Sequence, residues 1–476
     1  MTKTIEQNLT MANPLGVQPI GKLLITFSVP AIISCLINSV YNIVDQIFIG
    51  QGIGYLGNAA TTVAFPIMTI LLAFGTLIGS GASAYAAIRL GEQKRQEAEH
   101  TLNNAFWFSI LVGVVIMVLG LVFLEPIMRL FGATETVLPY AMQYTGIVLL
   151  GTPFNIVALT LSSLARTDGH PRLSMYGMLI GAALNTILDP IYIFVFKWGV
   201  SGAAIATVTS QIISAVVLTA YFIKQIDQRQ HIRLKKEMIK LDFRLVGKFV
   251  VLGISSGITQ SVACIMQVVM NNSLVYYGDQ TTIGGDVALS AMGIIMKIAL
   301  IIAAFAIGIG IGAQPILGYN RGAGHYHRIK KTYLMAVSFA TILIAICWAV
   351  CQIMPEPIIN LFGKENAEFT NFAVKCLRIY LFGIFCAGFQ IVSTNYFQAT
   401  GQPLKASILS MLRQLLLLIP LIIILPLFFG LEGILYSAPI ADIASAMIVA
   451  GFIMPEMRKL EANIKQEDKE GRKQTD

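Results

Sequence analysis

Apolar runs of helix length, free of charge, recur from one end of this chain to the other. Residues 105–123 are nineteen in a row without Asp, Glu, Lys or Arg. About 20 such residues span the hydrocarbon of a bilayer as a helix. Twelve runs of this kind are legible, near 23–48, 59–83, 103–125, 140–163, 173–196, 202–223, 248–277, 288–313, 332–354, 374–396, 406–429 and 434–455. Short polar stretches separate them. The pattern predicts an all-α polytopic membrane protein with twelve transmembrane helices. The first 22 residues are mostly polar and the first apolar run is too long for a signal-peptide core, so no cleaved leader is expected.

Composition agrees with the pattern. Hydrophobic residues make up 56% of the 476 positions and charged ones 12%, against about 25% charged in soluble domains. Charge also fixes orientation. With twelve spans, one set of loops together with both termini carries 26 Lys and Arg, and the other set carries Arg129, Lys197 and Lys364. Lys375 and Arg378, where the tenth span begins, raise the second set to five at most. Cytoplasmic loops hold the excess of positive charge, so both termini and the basic loop around 224–247 are expected in the cytoplasm. The net charge of +8 reflects that bias and anionic lipid headgroups, and no nucleic-acid partner is expected. The polar stretch 457–476 reads as a solvated, disordered tail.

The chain repeats itself. "EPIMRLFG" at Glu125 returns as "EPIINLFG" at Glu356, and "SAYAAIRLGEQ" at Ser83 as "AQPILGYNRGAG" at Ala313. "ARTDGHPRL" at Ala165 and "FKWGVSGAAIA" at Phe196 have partners near Phe397 and Leu427 at a similar offset. The order and spacing predict two parallel, pseudo-symmetric six-helix bundles, 1–223 and 248–456, joined by the basic linker 224–247 and followed by the tail 457–476. Repeats related by an axis along the membrane normal suit a cleft that opens to alternate sides.

Catalytic signatures are missing from the sequence: no HExxH, no Walker A, no paired Cys/His cluster. An enzyme is not expected, and neither is a cofactor. The six cysteines, mostly in apolar runs, read as small packing residues. An ion gradient is the remaining energy source; one charge crossing 100 mV yields about 2.3 kcal/mol.

Charges inside spans are costly and mark function. Asp45 lies in the first span, one helical turn after Tyr41. Asp189 lies in the fifth, one turn after Asn185 and just before Pro190, whose missing N–H predicts a kink and a freed carbonyl. Two carboxylates, an amide and a phenol in one bundle make a candidate proton or cation site. The second half has Leu421 in place of Asp189 and Asn271 and Asn272 near the place of Asp45. It embeds Lys297, Arg413 and Asp442 instead. Arg413 and Asp442 are expected to pair between neighbouring helices, in a structural or gating role. Lys297 is a candidate cleft residue that would meet Asp45 or an anionic group.

The segments "YNIVDQIFIGQGIG", "LNTILDPIYIFVFKWGVSGAAIATVTSQ" and "AQPILGYNRGAG" resemble signatures of the MATE family, the multidrug and toxic compound extrusion transporters, and within it the bacterial MepA-type and DinF-type members. The resemblance covers nearly the whole chain. It implies cation-coupled antiport, H⁺ or Na⁺ entering as organic, often cationic, compounds leave through the bacterial cytoplasmic membrane. It implies that Asp45, Asp189, Asn185 and Tyr41 form the coupling site, with a possible Na⁺ at the first three. Tyr144 and Thr207 match polar residues lining that bundle, and Pro30 matches a helix bend. Asn155 is out of register with an asparagine of the family's fourth helix, and the acidic second-bundle residues of the NorM branch are missing. A monomer is expected. The alternatives are a lipid-linked or polysaccharide flippase of the same superfamily and, in another class, a non-transporting membrane scaffold or receptor.

Overall fold

The computed structural model describes residues 13–53, 55–131, 133, 135–224, 232–235, 241–360 and 367–473. The apolar runs all become helices. In chain order they are α1 (Ile20–Ile53), α2 (Tyr55–Gly91), α3 (Arg95–Val122), α4 (Leu138–Thr167), α5 (Pro171–Val195), α6 (Gly199–Ile223), α7 (Phe243–Gly278), α8 (Gly285–Gly322) and α9 (Tyr326–Ile353). Then come α10, bent by 41° between Phe369–Tyr380 and Ile384–Ala399, α11 (Pro403–Phe429) and α12 (Leu431–Lys473). Among the described residues, eleven are long and apolar enough to cross a bilayer unaided, and the bent pair, taken as one span, makes twelve. The 38 residues of α8 would run about 57 Å at 1.5 Å each, well beyond the hydrocarbon layer, so its end carries chain out into water.

Helices α1–α6 pack mainly with one another, as do α7–α12. The halves meet where α1 crosses α8, α2 crosses α7 and α2 crosses α8. These contacts obey the sequence repeat, because α1 and α2 in one half correspond to α7 and α8 in the other. Small residues permit the crossings. A Cβ on Gly91 would lie 1.9 Å from the Tyr319 carbonyl oxygen, and one on Gly322 would lie 1.9 Å from that of Ile88. The two contacts are repeat images of each other. Further along, a Cβ on Gly253 would sit 1.8 Å from Leu77 O and one on Gly81 2.0 Å from Phe249 O. The two halves are thus closely packed at the helix ends that lead into the basic loops.

One expectation changes. The stretch 457–473 is not a disordered end: α12 continues to Lys473, and 474–476 lie outside the described residues. Its Ala, Glu, Lys and Gln favour helix, Leu460 is buried, and Glu461 meets Lys330 at 2.6 Å. The linker is partly docked. Residues 225–231 and 236–240 lie outside the described chain, but 232–235 is pinned to the first half. Ile232 N–H donates to Asp168 Oδ1 (3.0 Å), Asn103 Nδ2 donates to the Arg233 carbonyl (3.0 Å), and Lys235 Nζ meets Glu99 at 2.5 Å. Asp242 N–H, at the start of α7, donates to Asn104 Oδ1 at 2.7 Å. Neutral amides on α3 and a buried aspartate thus set where the second half begins.

Replacing Gly322 by Ala forces α2 and α8 apart at a backbone contact. We expect a loss of about 1–3 kcal/mol in stability, read as a lower unfolding midpoint in detergent. Gly451→Ala, where a Cβ meets nothing within 4 Å, is the control. An unchanged midpoint in Gly322→Ala would show that the crossing is looser than described.

Candidate functional site

The crossing of α1 with α5 brings two carboxyl groups together. Asp45 is 8% exposed and Asp189 0%, and the two lie within hydrogen-bonding reach of each other. Asp189 sits at the last regular turn of α5. Pro190 follows and has no N–H to offer Thr186, and the chain widens into a π turn over Ile191–Val195. The break in the helical ladder expected at Pro190 is therefore there, beside the carboxyl group.

Asn185 and Thr207 complete the cluster. In the orientation that satisfies both ends of its amide, Asn185 donates to Asp189 Oδ2 at 3.0 Å. Its oxygen then accepts from the backbone N–H and the hydroxyl of Thr207, both at 3.2 Å. Asp45 Oδ1 is buried without a hydrogen-bond donor. Two carboxylates in contact repel unless a proton or a cation lies between them. Among the described residues no group of three His, Cys, Asp or Glu side chains is assembled. The ligand set here is two carboxyl groups with neutral oxygens around them, which suits a proton or a hard monovalent cation.

The structure thus unites Asp45, Asp189, Asn185 and Thr207. Tyr41 belongs to α1, but its side chain lies outside the described residues. Tyr144 is buried in α4, in an apolar cluster with Ile49, Ile193 and Ala203, so it forms part of the wall and not of an open surface. Pro30 lies within an unbroken α1, and its carbonyl accepts from Ser34 Oγ at 2.8 Å.

The charges of the second half go elsewhere. Arg413, in the π turns Leu412–Leu418 of α11, meets Asp442 of α12 at 2.5 Å. Asp442 is buried, and Arg413 is 34% exposed along its side chain. The Asp442 carbonyl accepts from Gln390 Nε2 at 2.7 Å, which ties α10 to the pair. Lys297 is exposed on α8, in a stripe with Gly293 and Leu300, and makes no ion pair with a described residue. The meeting of Lys297 with Asp45 is not found.

Sequence reading passed over a neutral polar cluster between the halves. Gln398 Nε2 donates to Ser80 Oγ, Ser256 Oγ and the Leu252 carbonyl, each at 3.0 Å, and Gln314 Nε2 donates to Gln398 Oε1 at 3.0 Å. It joins α2 to α7, α8 and α10. Ser210 and Gln211 on α6, near Thr207, were passed over as well; each has a buried oxygen without a partner. Gln, Ser and Thr inside apolar spans were the available signal, but such residues are too common there to stand out.

The sequence profile of the MatE family matches residues 30–191 and 260–452. The chain is 28% identical over 447 residues to a Staphylococcus haemolyticus protein called multidrug export protein MepA, covering 92% of this chain and 94% of that one. It is 27% identical over 431 residues to the Staphylococcus aureus MepA, covering 90% and 92%. Two solved structures superpose with a TM-score of 0.87 at 21% identity and cover 95% of this chain. One, matched over 99% of its length, is described as MATE in complex with MaL6. The other, matched over 98%, is described as the outward-facing conformation of a multidrug resistance MATE family transporter of the MOP superfamily.

Arg413→Met leaves the Asp442 carboxylate buried without its partner. We expect it to cost about 3 kcal/mol or more, seen as a lower unfolding midpoint and yield in detergent. Arg413→Met combined with Asp442→Leu should regain most of that loss. A double variant as unstable as the single one would mean that the fold does not depend on the pair's charge balance.

Proposed function

Because the chain belongs to the MatE family, we propose that it is a cation-coupled antiporter, exporting organic and often cationic compounds while H⁺ or Na⁺ moves inward. The observation that carries this reading is the pair Asp45 and Asp189, two carboxyl groups in reach of each other inside one bundle. A proton or Na⁺ arriving there removes the repulsion, and its departure restores it. The site's energy therefore differs between its loaded and empty states, which is what a coupling site requires. Asn185 and Thr207 hold the loaded arrangement. The names of the MepA relatives support drug export as the direction of transport.

The units of this reading are a first bundle over 1–223, a linker over 224–247, a second bundle over 248–456 and a cytoplasmic tail over 457–476. Both termini are cytoplasmic, the membrane is the bacterial inner membrane, and the working form is a monomer. Substrate passes between the halves, on the side away from the close-packed glycines. An exposed lysine well inside α8 would cost about 2.5–3.5 kcal/mol against lipid, so Lys297 faces a water-filled cleft. No group acts as a catalyst, and the gradient does the work.

A second reading, a flippase for anionic lipid-linked compounds, draws on Lys297, a free cation where a cationic drug would gain nothing from one. Lys297→Met tests the choice. We expect a change in substrate preference, with ethidium exported at least as well, and an unchanged amount of protein. Loss of folded protein with preference intact would make Lys297 structural.

Asp189→Asn keeps shape and hydrogen bonding but cannot ionise. Ethidium efflux per inserted molecule, driven by an imposed pH or Na⁺ gradient, should fall about tenfold or more, as for a lost coupling free energy of 1–3 kcal/mol. Asp45→Asn should behave alike, and the double variant should be scarcely worse than either, since a coupled pair fails as a unit. Wild-type rates in Asp189→Asn under both gradients would remove the pair from the mechanism. Which gradient drives the wild type identifies the ion.

A further inference from the structure

A shallow surface cavity of about 620 Å³, wide open to its surroundings, lies where the end of α2, the start of α7 and the corner between α10 and α11 come together. It bridges the two halves at their basic-loop ends. Three cations line it: Arg89 from α2, and Arg244 and Lys248 from α7. Arg89 is already engaged. It meets Glu92 at 2.5 Å and Glu97 at 3.1 Å, and its guanidinium lies 4.8 Å from the Tyr85 ring centre. Arg244 and Lys248 differ. They stand one helical turn apart on an exposed face of α7 and make no side-chain ion pair with any described residue. Among the described residues, no acidic side chain lines the cavity.

The remaining walls are greasy. Ile88, Val251, Leu252 and Pro403 line the cavity. Exposed apolar side chains stand on the same two helices: Val251 is 46% exposed on α7, and Leu404 and Ile408 are exposed one turn apart on α11, against which α7 packs. Two cations without an ion-pair partner among the described residues, beside exposed apolar side chains, match a molecule with an anionic head and a hydrocarbon tail.

The repeat shows that this corner is not left open by the architecture alone. Gly247 and Lys248 at the start of α7 repeat Gly21 and Lys22 at the start of α1, and Arg89 stands where α8 has Asn320. In that other corner the chain fills its own space with the short helix Pro14–Val17. Leu15 is fully buried there, and its carbonyl accepts from Asn320 Nδ2 and Arg328 Nη2, both at 3.1 Å. Gly16 lies against the Tyr319 ring.

We propose that the cavity between α2, α7 and the α10–α11 corner binds the phosphate headgroup of an anionic phospholipid of the cytoplasmic leaflet, held by Arg244 and Lys248, with an acyl chain on Val251, Leu404 and Ile408. Basic pockets between helices on the cytoplasmic side are the kind of site anionic headgroups take. Because one wall comes from each half, a lipid seated there favours the arrangement in which these ends are closed together. Binding is independent of which compound the protein exports.

The test uses the full-length protein in a neutral detergent, titrated with short-chain phosphatidylglycerol, short-chain phosphatidylcholine, glycerophosphoglycerol or inorganic phosphate, with the unfolding midpoint as the readout. We expect phosphatidylglycerol to raise the midpoint and phosphatidylcholine to leave it nearly unchanged. The chain-free anions should act only at far higher concentration. Arg244→Gln with Lys248→Gln should weaken the phosphatidylglycerol response about thirtyfold, the worth of two surface cations. Arg244→Lys with Lys248→Arg should restore it, which separates lost charge from lost fold. Lys22→Gln, at the filled corner, should leave the response intact. Three results would overturn the proposal: an undiminished response in the double Gln variant, an equal loss in Lys22→Gln, or protection by phosphate or glycerophosphoglycerol at the lipid's own concentration. The last would make the site one for a free anion.

Discussion

A charged group within the bilayer must find a counter-charge, a proton or water, because hydrocarbon offers it nothing. That single cost sorts the ionisable residues of the spans into three arrangements. Arg413 and Asp442 neutralise each other at 2.5 Å. Lys297 is exposed on its helix, where only water makes its charge tolerable. Asp45 and Asp189 face each other with like charge and so cannot be at rest with both ionised. Only the last arrangement is left incomplete by the protein itself. In the function proposed above, the difference between a pair that balances internally and a pair that needs something from outside is what separates a structural charge from a coupling charge.

The same repeat supports both. The halves share a framework of helices and meet through contacts that mirror each other, Gly91 against Tyr319 and Gly322 against Ile88. Such contacts depend on missing side chains and not on specific bonds. They let backbones touch over a limited length without locking the rest of the helices. The bonds that do cross there come from neutral groups, Gln398 with Ser80 and Ser256. Neutral hydrogen bonds of this kind are each worth about 1 kcal/mol net, strong enough to favour one arrangement and weak enough to exchange. The linker adds a fixed point: its 232–235 segment is held on the first half by Asp168 and Asn103.

Much of this was legible in the sequence because bilayers impose long, coarse patterns. A span needs about 20 apolar residues, so the helices could be read from hydropathy; the orientation drawn from the placement of Lys and Arg belongs to the proposed function. The repeat was readable because two bundles kept one offset. Asp45 and Asp189 stood out because carboxylates in apolar runs are rare. Asn185 was found by its one-turn spacing from Asp189, and Pro190 by its missing N–H.

What tertiary structure alone decided was which groups touch. Thr207 joins Asn185 because α5 packs on α6, and no spacing along the chain states that. Arg413 meets Asp442 across a helix pair, as the sequence predicts, but that Lys297 lies exposed on its helix and does not meet Asp45 is visible only in the packing. Residues 457–473 read as a disordered tail by composition, but Leu460 found a buried place and Glu461 found Lys330. Gly247–Lys248 and Gly21–Lys22 are the same dipeptide, and only the packing around them leaves one corner open and fills the other with Leu15. Sequence sets the cost of placing each residue in lipid or water; the packing of helices distant along the chain sets what it finds there.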